Sequence, residues 1–239
     1  MKTIKTVLFD LDGTLLPMDR NAFEKLYLGS FLEFFGDYVD PKILAKAFME
    51  TSHAMIHNKE KTKVNKDRFF EKFGEYMDKA SFDALNIAMG TYYDTHFDVV
   101  KSVTSVSQAM IDAVAYFKEK GYDVILATNP LFPRVATDKR IAWAGLKLDD
   151  FIDVTRFEEN HFCKPQLEYF QEIIDDNDLD PTTCLMVGND VEEDLIARHL
   201  GMKTALITDD LIYRDKDVAI ECDWQGSRIE FLEKIKEVF

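Results

Sequence analysis

Two aspartates one residue apart close an apolar run in Val7-Leu8-Phe9-Asp10-Leu11-Asp12-Gly13-Thr14. The run up to Phe9 is short and continuous, the pattern of a buried strand and not of one with a wet face. Side chains alternate along an extended chain, so Asp10 and Asp12 are expected to leave it on one side. Two like charges that close repel each other unless a cation lies between them or one carries a proton. The first outcome makes a metal site and the second an acid–base pair. The plain structural alternative is a strand followed by an Asx turn.

Two other short stretches have polar residues where an apolar run stops, and a third lies between them. Thr128-Asn129 follows the run Tyr122 to Ala127, and Gly188-Asn189-Asp190, with Asp194 beyond, follows Thr183 to Val187. Between them Lys164-Pro165 opens a helical pattern, proline suiting a first turn. Singly, each has a structural explanation. Thr128 can cap a turn, Lys164 can be solvated, and Asp190 and Asp194 can favour a helix N-terminus. Parallel strands bring their carboxyl ends to one edge, which is where ligands bind in open α/β sheets. On that edge the four stretches should converge.

The elements that must position them alternate from residue 105 onward. Helical patterns cover about 105–120, 133–145, the segment after Pro165, 191–200 and 227–239. Strand patterns cover 122–127, 151–154, 183–187, 203–207 and 218–222. This alternation predicts an α/β fold with a doubly wound, Rossmann-like parallel sheet. Residues 17–100 read differently. Phe23, Leu26, Tyr27, Phe31, Phe34 and Phe35 fall at helical spacing, and further stripes run through 43–56, 69–77 and 82–92. Ten of the 19 Phe lie in this stretch, so it should form an all-helical unit with its own core. The expected organisation is a core of 1–16 plus 101–239 with a helical cap of 17–100 inserted after the first strand. Residues 57–68 read as a polar loop and 98–105 as a return linker.

With 46% hydrophobic residues the chain can bury a sizeable core. A formal net charge of −15 argues against nucleic acid and against an anionic membrane surface. A small phosphate can bind such a protein only where local cations and backbone N–H groups override the global field. Cys163, Cys184 and Cys222 are odd in number and far apart, which is neither a disulfide framework nor a zinc site. No stretch approaches a membrane span or a secretory leader, so a soluble cytoplasmic protein is expected.

In motif content and order the chain resembles the haloacid dehalogenase-like (HAD) superfamily of hydrolases, in the branch whose cap follows the first strand. Asp10-Leu11-Asp12-Gly13-Thr14, Thr128-Asn129, Lys164-Pro165 and Gly188-Asn189-Asp190-x3-Asp194 carry the resemblance. It implies Asp10 as nucleophile on phosphorus and Mg²⁺ as cofactor, held by Asp10, the Asp12 backbone carbonyl and an acid of the fourth motif. Asp12 would protonate the leaving alkoxide and then activate water. Thr128 and Lys164 would hold phosphoryl oxygens, with Gly13, Thr14 and Asn129 completing the substrate cradle. An acid at position 12 favours a phosphate ester over a halide, since a halide leaves without a proton.

The resemblance thus implies a phosphatase for a small phosphorylated metabolite. A sugar-phosphate mutase and a phosphate-binding module without turnover are the alternatives. Many relatives have Gly-Asp where this chain has Gly188-Asn189, so two registers are open. Asp190 is favoured as metal ligand, with Asn189 and Asp194 behind it. His53 and His57 share a helix face without the acid of a zinc-protease pattern, and read as cap packing or surface. Lys59, Lys61, Lys63, Lys66 and Arg68 read first as a solvated loop, and second as a contact to an anionic substrate group. The substrate's identity and the oligomeric state are not legible in the sequence.

Overall fold

Val7, Leu8 and Phe9 have no exposed surface, because the strand they form lies in the middle of a sheet. In the computed structural model, which describes residues 3–238, this strand is β1 (Thr6–Phe9). Residues 1 and 2 of the expected core segment and Phe239 of the expected closing helix lie outside the described residues. The sheet has six parallel strands in the order β3-β2-β1-β4-β5-β6, with β2 Asp123–Leu126, β3 Asp153–Val154, β4 Cys184–Gly188, β5 Lys203–Ile207 and β6 Trp224–Gly226. Phe9 pairs in register with Leu126 on one side and Val187 on the other. The Asp10 N–H donates to the Val187 carbonyl at 2.9 Å and the Ala127 N–H to the Phe9 carbonyl at 2.7 Å. The polar residues after each strand therefore emerge at one level of one edge.

Four helices stand between β1 and the rest of the sheet: α1 (Arg20–Phe35), α2 (Pro41–Ile56), α3 (Asn65–Gly74) and α4 (Lys79–Thr95). Asp19, Asp40 and Asp78 accept backbone N–H groups at the starts of α1, α2 and α4. Their inward faces are aromatic. Phe31 is 1% exposed and meets Tyr27, Phe35, Phe48 and Tyr92 with ring centroids 4.7–6.0 Å apart. These rings join the cluster on one face of the sheet through Phe97, Phe132 and Trp143, so apolar packing runs continuously from cap to core. The two chain crossings also bond to each other. Asp19 N–H donates to the Val103 carbonyl at 3.0 Å and Ser105 N–H to the Pro17 carbonyl at 2.9 Å.

The remaining helices are α5 (Gln108–Glu119), α6 (Arg134–Trp143), α7 (Leu167–Asp176) and α8 (Arg228–Val238). Five local expectations give way. Pro165 lies ahead of α7 and of its cap Gln166, and Asn65 to Arg68 of the expected polar loop belong to α3. Residues 98–105 are not an open linker: Phe97–Val103 is a 3₁₀ helix that buries Phe97 and Val100. The expected helix over 191–200 is a turn followed by a 3₁₀ helix, Leu195–Leu200. Here the Asp190 carboxylate takes the N–H groups of Glu192 and Glu193, and the backbone that follows is a turn before Leu195. The last strand is Trp224–Gly226 and not 218–222. Val218 is 47% exposed, whereas Trp224 packs on Phe231 with centroids 5.5 Å apart.

Truncating Phe31 to alanine should cost about 3–5 kcal/mol of unfolding free energy, the range for a buried phenylalanine. Urea denaturation followed by fluorescence checks it. A cost below about 1 kcal/mol would mean that the aromatic layer is not a packed core.

Candidate active site

Lys164 is the centre of the edge. Its side chain is 1% exposed, and its ammonium lies 2.8 Å from Asp10 Oδ1 and 2.6 Å from Asp194 Oδ1. Burial works against the charge of Lys164, but the two carboxylates outweigh it and hold its pKa well above the ordinary lysine value. Burial lifts Asp10 and Asp194 above the usual carboxyl value, against the opposing pull of Lys164. Asp194 also receives the Asp190 N–H on Oδ2 at 2.9 Å, and a Cβ on Gly188 would fall 2.1 Å from that oxygen. Glycine at 188 therefore makes room for the acid that holds the lysine.

The loop after β1 is held just as closely. Gly13 has φ +83°, and a Cβ there would meet the Asn189 side chain at 2.2 Å. Thr14, fully buried, places its hydroxyl 3.0 Å from Asn189 Oδ1 and 3.4 Å from Asp10 Oδ2. The Arg228 guanidinium, from the first residue of α8, donates to the Gly13 and Thr14 carbonyls at 2.5 and 3.0 Å. Asn129 Oδ1 accepts the Lys164 N–H at 3.2 Å, and its amide nitrogen donates to Glu193 Oε2 at 3.1 Å. Burial and the nearby Asp190 push Glu193 up to about 7. Thr128 is 2% exposed at the end of β2, its carbonyl taken by Thr155 and Tyr169.

Asp12 leaves the loop towards a different cation. Its Oδ2 accepts from Arg140 Nη1, while its Oδ1 is buried without a hydrogen-bond partner. The two neighbouring acids thus each have their own cation, Lys164 for Asp10 and Arg140 for Asp12. In the fourth motif the side chains diverge. Asn189 faces the Asp10–Thr14 loop, whereas the Asp190 carboxylate lies 2.7 Å from Arg214 Nη2 and 3.8 Å from Arg20 Nη1.

Among the described residues no three His, Cys, Asp or Glu side chains gather to hold a metal ion. A site built from two side chains and one backbone carbonyl needs no such cluster. The oxygens of Asp10, the Asp12 loop and Asn189 are a donor set that suits a hard divalent cation. The rings of His53 and His57 do meet, with centroids 4.1 Å apart and planes 35° from parallel, but both are exposed, at the end of α2. Of the cap lysines, Lys63 pairs with Glu71 at 2.5 Å, and Lys61 reaches Glu172 of the core at 3.9 Å.

Sequence reasoning missed three arginines: Arg140, Arg214 and Arg228. Arg140 carried one readable signal. In α6 it falls on the face of Ala136, Thr137 and Ile141, all buried, although it follows a lysine and reads as half of a surface pair.

The pattern shared by the haloacid dehalogenase-like hydrolases matches residues 4–219. The chain belongs to that family. It is therefore a hydrolase, built on the family's parallel sheet and helical cap. It is 26% identical to a glyceraldehyde 3-phosphate phosphatase of Methanothermobacter thermautotrophicus, over 98% of this chain and 99% of that one. It is 25% identical to the pyrophosphatase PpaX of Bacillus cereus, over 86% of this chain and 83% of that one. Among solved structures it resembles the HAD-hydrolase YfnB of Bacillus subtilis, described with bound magnesium. The TM-score is 0.58 at 20% identity, covering 99% of this chain and all of that one.

Replacing Lys164 with methionine leaves Asp10 and Asp194 facing one another without their cation. Breaking a buried pair of this kind costs about 3–5 kcal/mol, and denaturant unfolding of Lys164→Met at neutral pH should show it. A variant as stable as the parent would mean that the lysine does not hold the site together.

Proposed function

We propose that this protein is a Mg²⁺-dependent phosphatase for a small phosphate ester, working through an aspartyl-phosphate on Asp10. The observation that carries the reading is the buried Lys164, shared between Asp10 and Asp194 at the sheet edge, with the unpartnered Asp12 Oδ1 nearby. The phosphatases among its relatives support a small phosphorylated substrate.

In the first step an Asp10 carboxylate oxygen bonds to phosphorus while the bond to the leaving oxygen breaks. Asp12 gives that oxygen its proton. In the second step water attacks phosphorus, Asp12 takes the water's proton, and the Asp10–phosphorus bond breaks to release phosphate. Lys164 and the Thr128 hydroxyl hold the non-bridging oxygens, and backbone N–H groups of the Gly13–Thr14 loop join them. Bound Mg²⁺ would neutralise charge on those oxygens. Asp10, the Asp12 carbonyl and Asn189 would hold it. Asn189 takes precedence over Asp190 in this proposal because it reaches the Thr14 hydroxyl beside Asp10, while Asp190 is engaged by Arg214. As an amide, Asn189 is a neutral ligand, so metal affinity should be weaker than with a carboxylate there.

Phosphate release from 4-nitrophenyl phosphate should require Mg²⁺, stop with a chelator, and be absent in Asp10→Asn. Activity in Asp10→Asn would remove Asp10 as nucleophile. Asn189→Ala should raise the Mg²⁺ concentration for half-maximal rate more than Asp190→Ala does. The reverse order would move the ligand to Asp190.

A further inference from the structure

We propose that Arg140 is a positioning residue that aims the Asp12 side chain, and that Phe132 links this contact to the seated cap. The proposal rests on the phosphatase reading and adds to it a residue outside the four sequence motifs.

The Arg140 side chain is 1% exposed. A guanidinium so buried is costly, and an apolar residue of similar volume would stabilise this face of α6 at least as well. Arg140 is nevertheless held on every side. Nη1 donates to Asp12 Oδ2, Nη2 to the Thr137 hydroxyl at 3.3 Å, and Nε to the Ala136 carbonyl at 3.3 Å. The guanidinium plane also lies over the Phe132 ring, 4.5 Å from its centroid. A planar, permanently charged donor fixed in this way sets the direction of its partner more firmly than a flexible ammonium would.

The consequence falls on Asp12. Arg140 takes one oxygen, Oδ2, and leaves Oδ1 buried with no partner. An unpaired buried oxygen is unfavourable by itself, and it is the atom that a leaving oxygen or a water could satisfy. Arg140 thus decides which oxygen exchanges the proton and where it points.

Phe132 carries the contact outward. Its ring meets Tyr27 at 5.1 Å and Phe23 at 6.1 Å, both from α1 of the cap, and Phe97 at 6.0 Å from the return segment. Tyr27 is fixed in turn by a 2.7 Å hydrogen bond to Tyr93 of α4. The series from cap to Phe132 to Arg140 to Asp12 is contiguous. Phe132, the platform under Arg140, is itself walled by Phe23 and Tyr27 of the cap, so the seated cap holds the group that aims Asp12.

The test compares two esters with the full chain and Mg²⁺. An alkyl phosphate needs its leaving oxygen protonated, whereas 4-nitrophenyl phosphate does not. In Arg140→Met, kcat on the alkyl phosphate should fall on the order of 10²-fold, the lower range for general acid catalysis. On 4-nitrophenyl phosphate it should fall only a few-fold, with KM little changed for either. Arg140→Lys should recover part of the alkyl-phosphate rate. Phe132→Leu, which keeps the ion pair but removes the platform, should show the same selective loss to a smaller degree. Equal losses on both esters, or a change confined to KM, would overturn the proposal. If Arg140→Met does not fold, as judged by circular dichroism, the other two variants decide by the same criterion. Wild-type protein inactive on both esters would remove the phosphatase reading, and this inference with it. Wild-type activity with uniform losses in the variants would remove the inference alone.

Discussion

The structure depends on one buried cation. Lys164 lies between Asp10 and Asp194, and all three are nearly or wholly removed from water. Two carboxylates at such depth without a cation would be forced to take up protons, and Asp10, proposed as the nucleophile, must not. The ammonium keeps Asp10 usable while leaving the cluster one negative charge in excess. Much else at the edge serves this triangle. Gly188 makes room for Asp194, Asn129 holds the Lys164 backbone, and Asp194 ties down the Asp190 N–H.

Around this centre a strongly acidic protein has gathered arginines. Arg228 clamps the loop carbonyls of Gly13 and Thr14, Arg140 holds Asp12, and Arg214 holds Asp190. A net charge of −15 would repel a phosphate ester from most of the surface. Local cations and backbone donors at the sheet edge are what make an anionic substrate acceptable there. The cap belongs to the same account. Its aromatic layer runs without a break into the sheet through Phe97 and Phe132, and Gln166, two residues past Lys164, donates to the Ile56 carbonyl of α2. The cap is thereby packed and hydrogen-bonded directly against the segment that carries Lys164.

Much of this was legible in the chain because buried parallel strands are short apolar runs, and residues with no packing role stand out at their ends. Asp10, Asp12, Thr128 and Asp194 were visible for that reason, as was the parallel sheet, while Lys164 was read from the Lys-Pro pair that precedes a helical pattern. The cap's helical character followed from aromatic spacing. What was not legible has a common physical cause. An arginine's role depends on what a distant segment places opposite it. Arg140 lies 128 positions from Asp12 and Arg228 lies 215 from Gly13, and neither spacing leaves a local trace. The 191–200 helix and the 218–222 strand failed similarly. In the first, the residues after Asp190 form a turn and then the 3₁₀ helix Leu195–Leu200. In the second, a later segment ending in glycine, Trp224–Gly226, took the sheet edge.

The central claim is that Asp10 becomes covalently phosphorylated. The most direct measurement is a single-turnover reaction with a radiolabelled phosphate ester and Mg²⁺, quenched in acid within milliseconds, with the labelled peptide mapped. The account predicts an acid-stable, base-labile phosphoryl group on the peptide containing Asp10, formed and lost at rates that match turnover, and absent from Asp10→Asn. Full phosphate release with no protein-bound label at any time, or label on a different residue, would contradict it.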